Sequence, residues 1–238
     1  TVGARLGKYG PNGEVRKIKG HNMLYVVIGT FILFFGWFGF NAGSTVNGND
    51  LRIAVIITNT FLAGAAGAVT VAYVRLLQTG RISAADTCNG VLAGLVAVTA
   101  PCAFIAPWAA VVVGVIGALV MLLGVSFIET KLKIDDPVGA SSVHGVAGVW
   151  GLLAVGIFAD GTYGVSGLIA GNASQLLAQV IAAAVAVAWG LGMGLILFRV
   201  LKATVGLRAT EEEEISGLDV PEHGEEAYPV DEGEPQTA

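Results

Sequence analysis

Charge is what this sequence has least of. Only 13% of its 238 residues are Asp, Glu, Lys or Arg, against about a quarter in an ordinary soluble domain. That excludes a soluble fold, and no nucleic-acid partner is expected. Cysteine is equally sparse. Cys88 and Cys102 are the only two; on a continuous helix they would stand about 21 Å apart, beyond disulfide reach. They read as packing residues. The long apolar stretches contain no carboxylates, which removes the paired Asp or His-Glu-x-x-His of an intramembrane protease. Ser141 and Ser142 lie within one turn of His144 on the same predicted helix, a poor arrangement for nucleophilic attack. An enzyme is not expected, and neither a catalytic residue, a cofactor nor a metal is called for. Also missing are a start Met and any signal peptide ahead of Leu24. Thr1 to Lys8 reads as the basic end of a preceding helix, so the chain is expected to have lost its front.

What remains is apolar. Hydrophobic residues make up 54% of the chain and the mean hydropathy is +0.73. A helix needs about 20 apolar residues to cross roughly 30 Å of hydrocarbon. Leu24 to Gly43 and Ile53 to Val74 satisfy this without a charge, and Thr87 to Ile128 does so twice over. Pro101, Pro107 and Trp108 mark where that long run divides. Val138 to Ala159 and Leu176 to Phe198 complete the set. The predicted fold is an all-α polytopic membrane bundle of six transmembrane helices, at about 24–43, 53–74, 87–106, 107–128, 138–159 and 176–198. Its 34 glycines read mostly as sites of close helix packing.

The loops test this division independently, because short cytoplasmic loops collect Lys and Arg. Twelve of the thirteen basic residues fall on one side of the predicted membrane, and Arg52 stands alone on the other. Both ends of the chain are therefore predicted to be cytoplasmic, in a multi-pass protein of the cell membrane surrounded by lipid. Eleven of the eighteen carboxylates lie beyond Ala209, where no Lys or Arg occurs. Residues 1–208 are expected to form the transmembrane domain and 209–238 an acidic cytoplasmic tail, attracted to the basic face above it.

Two features carry chemistry. His144 is the one side chain inside a predicted span that titrates near neutral pH. With Asp136 read as a helix cap and Pro137 as the first helical residue, it lies about 10 Å into the membrane. An ionisable group at that depth is a functional candidate; the alternative is a neutral His bonded to a neighbouring helix. The second feature is the stripe Trp37, Phe40, Asn41 and Ser44, which shares one helical face. The alternative there is an aromatic face turned to lipid or core.

Gly36-Trp37-Phe38-Gly39-Phe40-Asn41-Ala42-Gly43-Ser44 resembles the signature of the Amt/Rh ammonium transporters, Amt branch. Asp135-Asp136-Pro137 followed by Val143-His144-Gly145-Val146-Ala147-Gly148 is similar to their second histidine motif. Thr204-Val205-Gly206-Leu207-Arg208, Gly217-Leu218-Asp219-Val220 and His223-Gly224-Glu225-Glu226-Ala227-Tyr228 resemble their tail. The resemblance implies an eleven-helix subunit in a homotrimer, of which this chain holds helices six to eleven. It implies a substrate pathway of Trp37, Phe40, Ser44, Thr99 and His144. In that pathway Ser44 recruits ammonium, Phe40 is one of two gate rings, and His144 is half of a histidine pair along which ammonia passes. A PII-class signal protein at the cytoplasmic face is the partner it implies. The competing readings are an ammonium-sensing receptor of the same fold and an Rh-type channel for ammonia or carbon dioxide.

Overall fold

A computed structural model describes residues 1–228; the last part of the predicted tail, 229–238, lies outside the described residues. The described chain is helical: α1 (Met23–Gly43), α2 (Arg52–Thr79), α3 (Ala84–Thr99), α4 (Pro107–Thr130), α5 (Ala147–Phe158), α6 (Ala173–Thr204) and α7 (Glu211–Ser216). A π-helical turn, Ser141–Val146, runs directly into α5. Side chains cap several N-termini, where backbone N–H groups have no helical acceptor. Asn22 accepts from Leu24 N, Ser83 from Asp86 N, and Asn172 from Ser174 N. Gly80, at φ 70°, closes α2 by returning its N–H to Leu76 O at 2.8 Å.

Among the described residues five helical segments are long and apolar enough to cross a membrane: Met23–Gly43, Arg52–Thr79, Pro107–Thr130, Ser141–Phe158 and Ala173–Thr204, with Ala84–Thr99 a shorter apolar helix. The third pass corrects its predicted bounds of 87–106. Regular helix stops at Thr99, 16 residues after it starts, and a series of turns covers 100–105. Pro101 has no N–H with which to continue the ladder. The turns are closed by Cys102 N to Val98 O (2.8 Å) and Phe104 N to Pro101 O (2.8 Å). Cys102 therefore does not share a continuous helix with Cys88; both thiols are free and buried.

The fifth pass is corrected as well. Pro137 lies in a turn instead of at the first helical position, and Gly139 follows at φ 72°. That left-handed step, natural for glycine, reverses the chain before the helix begins. Asp136 still caps, but from a distance: its carboxylate accepts from Ala140 N (2.9 Å) and Ser141 N (2.8 Å).

In lipid, helices gain little by burying apolar surface against each other, so close contact and interhelical hydrogen bonds hold the bundle. α2, α3 and α4 pack on one another; α5 lies against α3 and α4, α1 against α2 and α3, and α6 against α5. Small residues bring the central helices together. A Cβ on Gly94 would fall 2.2 Å from Ala63 O, one on Gly114 2.4 Å from the same oxygen, and one on Gly67 2.2 Å from Gly90 O. The close-packing reading of the glycines thus holds within α2–α5. It fails for α1 and α6, where Gly29, Gly36, Gly39, Gly43, Gly190, Gly192 and Gly194 have no neighbour within 4 Å in this chain. Those two helices also expose most of their large apolar side chains.

One end of the bundle gathers the N-terminal segment, the α4–α5 loop and the start of the tail. Arg5 grips Asp135 through its backbone N and two guanidinium nitrogens, at 2.8 to 3.0 Å. Lys8, itself buried, binds Glu129 at 2.6 Å. Glu214 accepts from Arg208 and from Leu6 N. Of these carboxylates, Glu214 belongs to the segment after Ala209.

Arg5, hydrogen bonded to Asp135, holds that carboxyl below the ordinary carboxylate range. Because the folded value is lowered, the stabilisation is complete above the unfolded value and is lost as pH falls through the folded one. Asp135→Asn is expected to cost about 1–2 kcal/mol at neutral pH and progressively less as pH falls below the ordinary carboxylate range; thermal unfolding across an acid pH series checks this.

Candidate functional site

At the opposite end, α1, the start of α2 and the turns after α3 enclose a recess of about 270 Å³. Two polar side chains one turn apart on α1 fix its wall. Trp37 Nε1 donates to Thr99 Oγ1 at 2.8 Å, and Asn41 Nδ2 donates to Thr60 Oγ1 at 3.0 Å. Each threonine spends its own hydrogen on the carbonyl one turn back, Thr99 on Leu95 O (2.7 Å) and Thr60 on Ile56 O (2.6 Å). Asn59 braces the far side, its amide N–H groups reaching Cys102 O and Ile105 O, both at 2.8 Å.

The lining of the recess is chemically one-sided. Ser44 Oγ donates to Phe40 O (2.7 Å) and Thr45 Oγ1 to Ala42 O (2.9 Å). With Thr99 committed in the same way, these hydroxyls present lone pairs and no free hydrogen. Asn41 lines the recess too, is 3% exposed, and its Oδ1 has no hydrogen-bond partner. A buried acceptor left unpaired costs about 1–3 kcal/mol. Arg52, the one cationic group in the lining, already has its guanidinium on Asp50. The arrangement suits a small donor-only cation and disfavours an anion.

The predicted site residues separate into two places. Trp37 meets Thr99 through the hydrogen bond and Phe40 through its ring, with centroids 6.1 Å apart and planes at 58°. Ser44 joins Thr99 in the recess wall. Phe40 is not packed inside this chain; 63% of it is exposed.

His144 stands elsewhere, and its imidazole is exposed in this chain. Within the π-helical turn Ser142 and Val143 face inward, at 0% and 2% exposure, and position 144 lies on the outer side. Val143 packs in a cluster with Ala93 and Met121. Ala93 lies six residues before Thr99 on α3, about 9 Å along the axis. The helix that carries His144 therefore meets α3, through Val143, about 9 Å along the α3 axis from Thr99.

Sequence reasoning missed Asn59, Thr60 and Asp50. The polar triplet Thr58-Asn59-Thr60 inside an otherwise apolar run was the available signal. Arg52 was visible only as the exception to the charge rule.

A profile described as Ammonium Transporter Family matches residues 1–228. Ammonium transporter Amt2 of Archaeoglobus fulgidus is 50% identical over 236 residues, covering 96% of this chain and 50% of that protein. Ammonium transporter 1 member 1 of Arabidopsis thaliana is 37% identical over 248 residues, covering 95% and 49%. Among solved structures, one titled sensor Amt protein superposes with a TM-score of 0.86 at 41% identity, over 93% of this chain and 54% of the other. Saccharomyces cerevisiae Mep2 gives 0.78 at 32% identity, over 89% and 50%. The chain spans about half the length of the curated relatives it matches.

Proposed function

Because this chain belongs to the Ammonium Transporter Family, we propose that it forms one wall of a pore that carries ammonium or ammonia across a membrane. The observation that carries the reading is the recess lined by the Ser44, Thr45 and Thr99 hydroxyls, whose hydrogens are already given to backbone carbonyls. Ammonium has four N–H donors and no acceptor; losing its water, it needs oxygen lone pairs in return. Ser44, Thr45, Thr99 and Asn41 supply them.

The ion then meets the rings of Trp37 and Phe40, whose faces attract a cation while excluding its hydration shell. In low dielectric the charged form is disfavoured, which pushes it toward ammonia and a proton. His144 lines the deeper path. Imidazole donates from one nitrogen and accepts at the other, so it can pass ammonia along or take up the proton. The exposed imidazole accords with a pore surface that this half of the protein supplies and the remaining half completes. The relatives' greater length accords with the same picture.

In this reading the recess faces outward and the Arg5–Asp135 end is cytoplasmic, following the basic loops. The exposed apolar faces of α1 and α6 meet lipid, the other half of the subunit and neighbouring subunits of a homotrimer. The tail held at Glu214 offers a cytoplasmic surface to a PII-class partner. A sensor is the second reading, favoured by the 41% identity to the structure titled sensor Amt protein.

Uptake of labelled methylammonium by cells without other ammonium uptake tests transport, using the protein expressed at full family length. Ser44→Ala removes one exposed acceptor without disturbing packing. It is expected to raise the half-saturating concentration about fivefold, leaving the maximal rate near that of the parent. Unchanged half-saturation would remove Ser44 from the capture site.

A further inference from the structure

The positive-inside pattern leaves Arg52 unexplained, and the recess supplies its setting. Arg52 opens α2 and lines the recess. Its guanidinium binds one carboxylate, Asp50, through Nε at 2.9 and 3.1 Å and through a terminal nitrogen at 2.5 Å. Asp50 also accepts from Arg52 N at 2.9 Å, so it caps the same helix. Above them, Tyr163 places its ring 5.5 Å from the guanidinium carbon. Tyr163 adopts φ 62°, a left-handed conformation uncommon for a bulky residue. Its loop is tied to the recess wall a second time, by Asp160 N to Phe104 O at 3.2 Å.

Three elements thus converge to hold one positive charge beside a recess that suits cations. A bare helix cap needs Asp50 alone. It does not need the arginine, the stacking ring or the loop that carries the ring. A carboxylate at this position without its arginine would attract every small cation in the medium; an arginine without its carboxylate would repel them all.

We propose that the Asp50–Arg52 pair, clamped by Tyr163, is a charge-balancing device that sets the cation affinity of the recess. It restrains capture so that hydrogen bonding by the acceptors, and not bare negative charge, selects the ion. The proposal rests on the recess being an ammonium capture site.

The test is a double-mutant cycle in the protein at full family length, with ammonium as the probe. Equilibrium binding is read from tryptophan fluorescence, and flux from ammonium-evoked current or lumenal pH change in liposomes. Arg52→Gln frees the carboxylate and is expected to lower the half-saturating ammonium concentration about threefold at low ionic strength. Asp50→Asn keeps a good helix cap, leaves the arginine unbalanced and is expected to raise half-saturation about threefold. The double variant should return close to the parent. All three differences should vanish near 1 M inert salt, where the screening length is about 3 Å, and maximal flux should hardly change.

Single variants that leave half-saturation unchanged, that shift it in the same direction, or that shift it independently of salt would overturn the proposal while transport stands. Opposed, salt-sensitive binding shifts in a protein without flux would overturn transport and leave the proposal intact. A parent protein that neither binds nor conducts ammonium overturns both.

Discussion

Gly94→Ala is expected to cost about 3 kcal/mol or more, at the upper end of the usual range for overpacking. The added methyl would lie 2.2 Å from Ala63 O, 2.9 Å from the Ala63 carbonyl carbon and 3.3 Å from Gly64 Cα. All three are backbone atoms of α2, so no side chain can rotate away. α2 and α3 would have to separate by about 1 Å along their contact, where Gly67 and Gly90 also meet backbone to backbone. Ala63 O touches Gly114 of α4 as well, so the displacement reaches a third helix. Detergent-solubilised protein should unfold at markedly lower temperature and elute as aggregate. Gly194→Ala, on α6 where an added Cβ meets nothing within 4 Å in this chain, is the comparison variant and should cost much less than Gly94→Ala. Equal behaviour of the two variants would contradict the packing described for α2–α4.

The passes were legible in the sequence because crossing a membrane is a requirement on length and polarity that each segment meets alone. The corrections came where segments depend on one another. Pro101 and Pro107 identified a break, but helix α3 ends at Thr99, because a missing N–H disrupts the ladder around the proline and not only after it. Asp136 was recognisable as a cap, yet Gly139 moves the helix start beyond Pro137. The π-helical turn leaves no periodic signature in Ser141–Val146. Trp37, Phe40 and Ser44 were found as a stripe on one helix. The bond from Trp37 to Thr99 joins positions 62 residues apart, which no local pattern encodes.

His144→Leu is expected to reduce ammonium flux by about a hundredfold, the lower range for losing a group that transfers protons. Leucine approximates the volume of imidazole, but it can neither accept the proton shed by ammonium nor donate to ammonia. Folding should be unaffected within this chain, because the side chain is exposed while its neighbours Ser142 and Val143 carry the packing. Unfolding temperature, oligomeric state and ammonium binding at the recess should match the parent. That separation of binding from flux is the expected signature of a residue acting downstream of capture. Parental flux in this variant would remove His144 from the pathway.

The account stands most directly on flux itself. The protein, expressed at full family length and reconstituted into sealed liposomes, should give an ammonium-evoked current or lumenal pH change. That signal should saturate with concentration, weaken in Ser44→Ala at low ammonium and collapse in His144→Leu. Liposomes in which ammonium binds but evokes neither current nor pH change, with parent and His144→Leu indistinguishable, would contradict a pore and leave the sensor reading in its place.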